Sequence, residues 1–250
     1  MEIHGKYKLL FLLGEGKFGK VFKAIEIVKS NVLIMVAIKM EDTKKGLLKH
    51  ETTMLHYLNN KKCLNVPNII WFGIESNIPC LIIPFYPYSF IEYITKYPLI
   101  DEIVIMNIML KIMKGIHNMD VIHRDIKPDN FMMTENYQLI LIDFGLSVFI
   151  KNNELKEKDG DGITITGNTL FASPNVHKMY NSRKIDDIIS IAYIGLFICL
   201  KLTLPWNNKE NINYLYLKSK DYLHLLRNSN TNRIIDFICK LYDNKLLYVY

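Results

Sequence analysis

Around residue 85 the hydrophobic rhythm of the chain changes, and this switch restricts the fold more than any other feature. Before it, "YKLLFLL", "KVFKAIEIV" and "VLIMVAIKM" are short runs of aliphatic and β-branched residues broken by glycine-rich or polar turns, as in strands. A further strand pair is expected around "IIWFGIE" and "CLIIPF". One helix interrupts them, because Leu47, Leu48, Met54, Leu55 and Leu58 recur at helical spacing with Glu51 among them. After Pro87 the period becomes helical. Polar Asn107, Lys111, Lys114 and Asn118 recur at steps of four, three and four, predicting one solvated stripe on a core-facing helix capped by Asp101. The apolar run 188–200 falls short of the roughly 20 residues a bilayer needs, so a buried core helix is expected. Strands first and helices after predict an α+β chain of two lobes sharing one cleft.

Composition agrees with a folded, water-facing protein. Half of the 250 residues are hydrophobic and 22% are charged, which excludes a disordered or fibrous class. A net charge of +6 suits an anionic substrate but is too diffuse to argue for nucleic acid. Cys63, Cys80, Cys199 and Cys239 are never closely paired, so they read as reduced thiols of a cytoplasmic or nuclear protein. The start "MEIHGKYKLL" has no apolar core and no cleavage site, so no secretory signal is expected. Residues 151–162, "KNNELKEKDGDG", read as a mobile surface loop.

The first glycine cluster, "LGEGKFGKV", sets Gly14, Gly16 and Gly19 between two strand-like segments, where a backbone can approach a phosphate closely. Gly14 to Lys20 fits G-x-x-x-x-G-K, but Val21 stands where a Walker loop needs Ser or Thr, and a strand follows where that loop opens a helix. The pattern G-x-G-x-x-G-x-V, a hairpin lid over a nucleotide, is filled at every position. A glycine-rich turn without a ligand stays open as the plain alternative. Downstream, Lys39 in "VAIK" is half buried on a strand and needs a counter-charge; Glu51, on the apolar side of the next helix, is the expected partner. The stretch "VIHRDIKPDNF" then crowds a histidine, two cations, two carboxylates and an amide beside the core. A carboxylate base, a cation two residues on and an amide five residues on are what phosphoryl transfer asks of one rigid loop.

With "HRDIKPDN" and "DFG" at 143–145 following the glycine lid, Lys39 and Glu51 in that order, the sequence resembles the protein kinases over nearly its whole length. The resemblance implies a bilobal kinase fold, α+β in class. A small β-rich N-terminal lobe with one key helix would span residues 1–84, and a larger helical lobe 85–250, with an activation segment at about 143–175. It implies that Asp125 accepts or orients the proton of a substrate hydroxyl, that Lys127 neutralises charge on the γ-phosphoryl, and that Asn130 and Asp143 hold Mg2+. ATP would lie under Leu13, Gly14, Glu15, Gly16, Lys17, Phe18, Gly19, Lys20 and Val21. Val21 and Ala37 would roof the adenine and Met132 would floor it. Ile83 would be the gatekeeper, Pro84 would use only its carbonyl, and Tyr86 would supply the backbone donor. For each apolar member of this set, plain core packing explains the residue equally well.

Lys127 two places after Asp125 is the serine/threonine pattern, and "HRDIKPDNFMM", "LIDFGLS", "RKIDDIISIAYI" and "LPW" are similar to the casein kinase 1 family. That family also lacks Ala-Pro-Glu, and "ASPN" at 172–175 stands in its place here. Asp187 would open the buried helix and clamp the catalytic loop; an ordinary N-cap is the plain alternative, and the two roles are compatible. The chain departs from the family at Leu170, where an arginine contacts phosphate already on the substrate; Arg183 and Lys184 are alternative anion contacts. It departs again at Asn168, which replaces a threonine bridging the catalytic Asp and Lys, so that its amide or Thr169 would substitute. It also stops at "DNKLLYVY", before the last helices of the usual large lobe, implying a shortened C-terminus. Thr164 and Thr166 are candidate phosphorylation sites and Arg124 their receptor. The expected partners are proteins bearing Ser or Thr, acidic ones included, with no nucleic acid, no membrane and a monomeric state. A kinase-fold scaffold without full activity is the alternative function.

Overall fold

The computed structural model of the chain describes residues 2–16, 19–27, 33–41, 46–98, 101–150, 167–207 and 214–243. The insert 151–162, Thr164, Thr166, the glycine-lid residues Lys17 and Phe18, and the stretch after residue 243 lie outside them. The chain forms two compact units, Met1–Ser89 with Met132–Gly145, and Phe90–Phe131 with Leu146–Tyr250. Strands dominate the first and helices the second, as the change of period predicts.

The first unit is built on six antiparallel-paired strands: β1 (Glu2–Ile3), β2 (Tyr7–Gly16), β3 (Gly19–Glu26), β4 (Met35–Met40), β5 (Trp71–Glu75) and β6 (Ile78–Pro84), in the order β1-β2-β3-β4-β6-β5. Helix α1 (Leu47–Asn60) lies between β4 and β5 in sequence. Strand β4 is shorter than the run "VLIMVAIKM" suggests, and Leu33 and Ile34 before it are exposed. Pairing fixes two faces. Ala24, Val36, Ile38, Met40, Cys80 and Ile82 alternate onto one and form a core with Ile3 and Tyr7. The intervening residues Val21, Ala37, Lys39, Leu81 and Ile83 share the other, because each is directly opposite another across the ladder.

Strand β1, which no periodicity in the first residues announces, matters beyond its length. The His4 N–H donates to the Glu75 carboxylate at 2.8 Å, and its ring stacks on Trp71 with centroids 4.5 Å apart. The two edge strands of the sheet therefore touch at His4. Strands Tyr88–Ser89 and Leu139–Leu141 flank Phe131–Met133 in a second, small sheet, with Tyr88 opposite Met133 and Ser89 opposite Met132.

The second unit contains α2 (Phe90–Lys96), α3 (Glu102–His117), α4 (Pro174–His177), α5 (Lys184–Cys199), α6 (Tyr214–Leu217), α7 (Lys220–Leu225) and α8 (Asn232–Tyr242). Asp101 caps α3 as expected, accepting from the N–H groups of Ile103 and Val104. The solvated stripe of α3 is wider than its polar residues, because Val104 and Ile108 are exposed as well. Helix α5 is the buried pillar: every residue from Ile185 to Leu196 is buried, and α3 and α8 pack on it. No helix among the described residues is long and apolar enough to cross a membrane.

Candidate functional site

In the first unit, the end of β2 carries Leu13, Gly14, Glu15 and Gly16, and β3 begins with Gly19, Lys20 and Val21. Gly14 faces Val21 and Gly16 faces Gly19 across the hairpin. A Cβ on Gly14 or Gly16 would meet nothing, so both backbones are open to an approaching group. Gly19 is required by the fold itself, since its φ is +148° and a Cβ would fall 2.0 Å from the Met40 carbonyl oxygen. Glu15 and Lys20 form an exposed pair at 3.7 Å, which is worth little in water.

Lys39 lies opposite Val21 on the face away from the core. Its Nζ meets Glu51 Oε1 at 2.9 Å and Oε2 at 2.7 Å, and Asp143 Oδ1 at 3.0 Å. The expected pair with Glu51 thus forms, on a helix whose buried face is otherwise Leu48, Met54, Leu55 and Leu58. Burial alone would push the Lys39 ammonium down; the carboxylates of Glu51 and then Asp143 outweigh it and hold it above its ordinary value. Burial raises the Glu51 carboxyl, and Lys39 opposes this while Asp143 adds to it. Two carboxylates on one ammonium leave this cluster one negative charge in excess, and Asp143, 42% exposed, is its accessible end. Asp143 also sits at φ 66°, a left-handed conformation that a non-glycine residue holds only where its surroundings require it.

Lys39→Met is expected to leave Glu51 buried without its cation and to cost about 3 kcal/mol in urea unfolding. Because a carboxyl raised in the folded state keeps a proton the unfolded chain has lost, that variant's stability should fall as pH climbs above 4.5, the ordinary Glu value. Adding Glu51→Leu should restore most of the stability while leaving the Lys39 function absent. A double variant as unstable as the single one would contradict this account.

Ala37, Ile83 and Leu81 complete the Lys39 face and are buried, Ile83 lying opposite Ala37. Pro84 pairs with Val36 and so belongs to the opposite face from Ile83; it and Tyr86 are half-buried, and burial pushes the Tyr86 phenol up to about 12. Met132 is half-buried on the small sheet, opposite Ser89.

In the second unit, Asp125 is 7% exposed, and three N–H donors converge on its carboxylate. Lys127 Nζ reaches Oδ2 at 2.8 Å, Asn130 Nδ2 reaches Oδ2 at 3.0 Å, and the Asn168 backbone N–H reaches Oδ1 at 2.8 Å. Asn130 Nδ2 also donates to the Asp125 carbonyl at 2.8 Å, bracing the loop through the short 3-10 turn Pro128–Asn130. Asn168 therefore holds Asp125 through its main chain. Its side-chain oxygen accepts instead from the N–H groups of Leu170 and Phe171, so neither its amide nor Thr169 acts as the expected bridge.

Asp187 holds the loop from beneath. Its oxygens accept from His117 Nε2 at 2.9 Å and from the backbone N–H groups of His123 at 2.9 Å and Arg124 at 3.0 Å. Burial would raise this carboxyl, but the His117 hydrogen bond and the neighbouring histidines bring it below its ordinary value. Asp187 is not an N-cap, because α5 begins at Lys184 and it is Asp186 that accepts from the Arg183 N–H at 2.7 Å. His123 is wholly buried and its Nδ1 accepts from the Asp125 N–H, in keeping with a packed support. Arg124, at φ 69°, donates from Nε to the Leu146 carbonyl at 2.6 Å; burial lowers its guanidinium and Asp187 opposes the shift. Lys184 pairs with Asp120 at 3.2 Å, while Arg183 Nε lies 3.8 Å from Asp186.

Sequence reasoning missed two contributors. Gly167 (φ +85°) runs so close to the loop that a Cβ would fall 2.4 Å from the Arg124 carbonyl oxygen, and the glycine before Asn168 was the available signal. His117, at the end of α3, is the second, and nothing in the sequence around it pointed to Asp187.

Within the first unit the fold brings together Lys39, Glu51 and Asp143, and within the second Asp125, Lys127, Asn130 and Asn168. A family model described as the protein kinase domain matches residues 7–245, spanning both sets. The strand-rich N-terminal and helical C-terminal regions are the α+β architecture of that fold. The chain belongs to the protein kinase domain family, whose reaction is phosphoryl transfer to proteins.

Proposed function

We propose that the chain is an ATP- and Mg2+-dependent protein serine/threonine kinase resembling casein kinase 1. The observation that carries this reading is Asp125: a buried carboxylate held by three donors, one of them Lys127 two residues on. On this reading Asp125 orients the Ser or Thr hydroxyl and takes its proton. Lys127 offsets the charge of the γ-phosphoryl, and Lys39 engages the inner phosphates. Gly14 and Gly16 leave the backbone open to the phosphates, and Gly19 holds the turn between the two strands. The 1–84 and 85–250 lobes and the activation segment at about 143–175 belong to the same reading, as do Ala37, Val21, Ile83, Pro84, Tyr86 and Met132 around the adenine.

The donor chemistry suits magnesium. Asp143 offers a partly exposed carboxylate, and Asn130 commits its Nδ2 to Asp125 while its amide oxygen remains for a ligand. Among the described residues no group of three or more His, Cys, Asp or Glu is placed to hold a metal. Magnesium fits such a sparse set, since it keeps several waters and takes phosphate oxygens rather than an all-protein cage. When bound, it neutralises charge between the phosphates.

The test is transfer of labelled γ-phosphate to casein and to a mixed Ser/Thr/Tyr peptide library, with Asp143→Asn as control. Label on Ser and Thr that needs Mg2+ and disappears in the variant is the expected result. Equal signal from both proteins would overturn the reading.

A further inference from the structure

Among the described residues, one lysine of the second unit is buried away from any carboxylate. Lys218, directly after α6, is fully buried, and among the described residues no carboxylate lies within ion-pairing distance of it. Its Nζ instead donates to the Thr169 carbonyl at 3.0 Å and the Ala172 carbonyl at 2.7 Å, and lies 3.0 Å from His177 Nε2. Tyr193, Tyr214 and Trp206 surround it with ring centroids at 5.0, 5.2 and 5.3 Å. Burial pushes this ammonium down towards about 6, while two carbonyl acceptors and three ring faces favour its charge; His177 Nε2, itself 3.1 Å from the Thr169 carbonyl, is its third polar neighbour. Such an arrangement is costly to build and needs a reason.

The reason lies in the turn it grips. The carbonyls of four successive residues are each taken by a side chain from elsewhere in the unit. Lys218 holds Thr169 and Ala172, Trp206 Nε1 donates to Leu170 at 2.8 Å, and Ser190 Oγ donates to Phe171 at 2.8 Å. The Asn168 side chain closes the same turn from within, and the Ala172 N–H returns to the Asn168 carbonyl at 3.0 Å. Asn168 is also the residue whose N–H holds Asp125 Oδ1. The buried ammonium and the buried carboxylate are thus the two ends of one short, saturated stretch of main chain.

We propose that Lys218 is a positioning residue for phosphoryl transfer: by locking the turn 168–172 it fixes the Asn168 N–H that aims Asp125. The proposal rests on the kinase reading for its consequence in rate, but the lock itself is a property of the fold. Lys218 lines a cavity of about 420 Å³ beside Pro174, Tyr180 and Arg183, so its surroundings have room to relax when it is shortened or neutralised.

The experiment compares wild type with Lys218→Met, with Trp206→Phe as a second variant that keeps Lys218 but withdraws the indole N–H, along with part of a buried ring, from the same turn. Both should bind a fluorescent ATP analogue with Mg2+ as wild type does, yet kcat should fall by about 10²-fold in Lys218→Met through misplacement of Asp125. Trp206→Phe should lose kcat in the same sense and to a smaller degree. Hydrogen exchange at the Asn168 amide should accelerate in both variants before global unfolding. Should wild type transfer no phosphate, the kinase reading fails, and the exchange measurement still decides the lock. Unchanged protection of Asn168 in a folded Lys218→Met or Trp206→Phe protein would overturn the proposal. So would equal losses of kcat and nucleotide affinity, which mark general damage rather than positioning.

Discussion

Asp125→Asn is expected to slow γ-phosphoryl transfer by about 10²–10⁴-fold while nucleotide affinity stays unchanged. The carboxylate of wild type accepts from Lys127 and Asn130 on one oxygen and from the Asn168 N–H on the other. An amide has the same volume but only one acceptor oxygen. Whichever way it turns, its NH2 opposes at least one of these donors, and no orientation supplies a base. The loss should therefore appear in kcat rather than in binding. A decrease of less than about tenfold would mean that proton removal contributes little and that Asp125 is mainly structural.

The second large effect is on stability. Asp187→Ala removes an acceptor from two buried backbone N–H groups and from His117 at once. Breaking a buried pair of this kind costs about 3–5 kcal/mol, and a melting temperature lower by roughly 10 °C follows for a chain of this size. The sign of the pH dependence is fixed as well. Asp187 is held below the ordinary carboxylate value of 3.8, so its contribution is complete above that value and is lost as pH falls through the lower, folded-state pKa. The variant should accordingly lose less stability than wild type on acidification below pH 3.8. A melting temperature within 2 °C of wild type, on the scale of about 2–4 °C per kcal/mol, would refute the clamp.

Parts of this arrangement are readable from the chain alone because they follow from local rules. A lysine inside "VAIK" needs a counter-charge, and one glutamate lies within the apolar face of the next helix; the 2.7 Å pair is the result. Asp101 before an apolar period predicts its own cap. Contacts that depend on an element boundary or on distant sequence were not readable in this way. Asp186 and Asp187 are adjacent, and which one caps α5 and which one clamps the loop depends on the helix starting at Lys184. Asp143 reaches Lys39 across 104 positions, a meeting that neither local spacing nor the family resemblance anticipated. Lys218 in "YLYLKSK" looks like an ordinary solvated lysine; nothing local to it tells of the carbonyls at 169 and 172. Strand β1 is two residues long, too short for periodicity to register.

Asn168 meets Asp125 through its peptide nitrogen, so the contact itself asks nothing of the side chain, which serves the turn instead. Every amino acid but one carries the same peptide N–H, so sequence drift at this site leaves the contact with Asp125 chemically available. Proline alone, having no N–H, withdraws it. Any other replacement keeps the donor and gives up only the two bonds by which the Asn168 side chain shapes the turn.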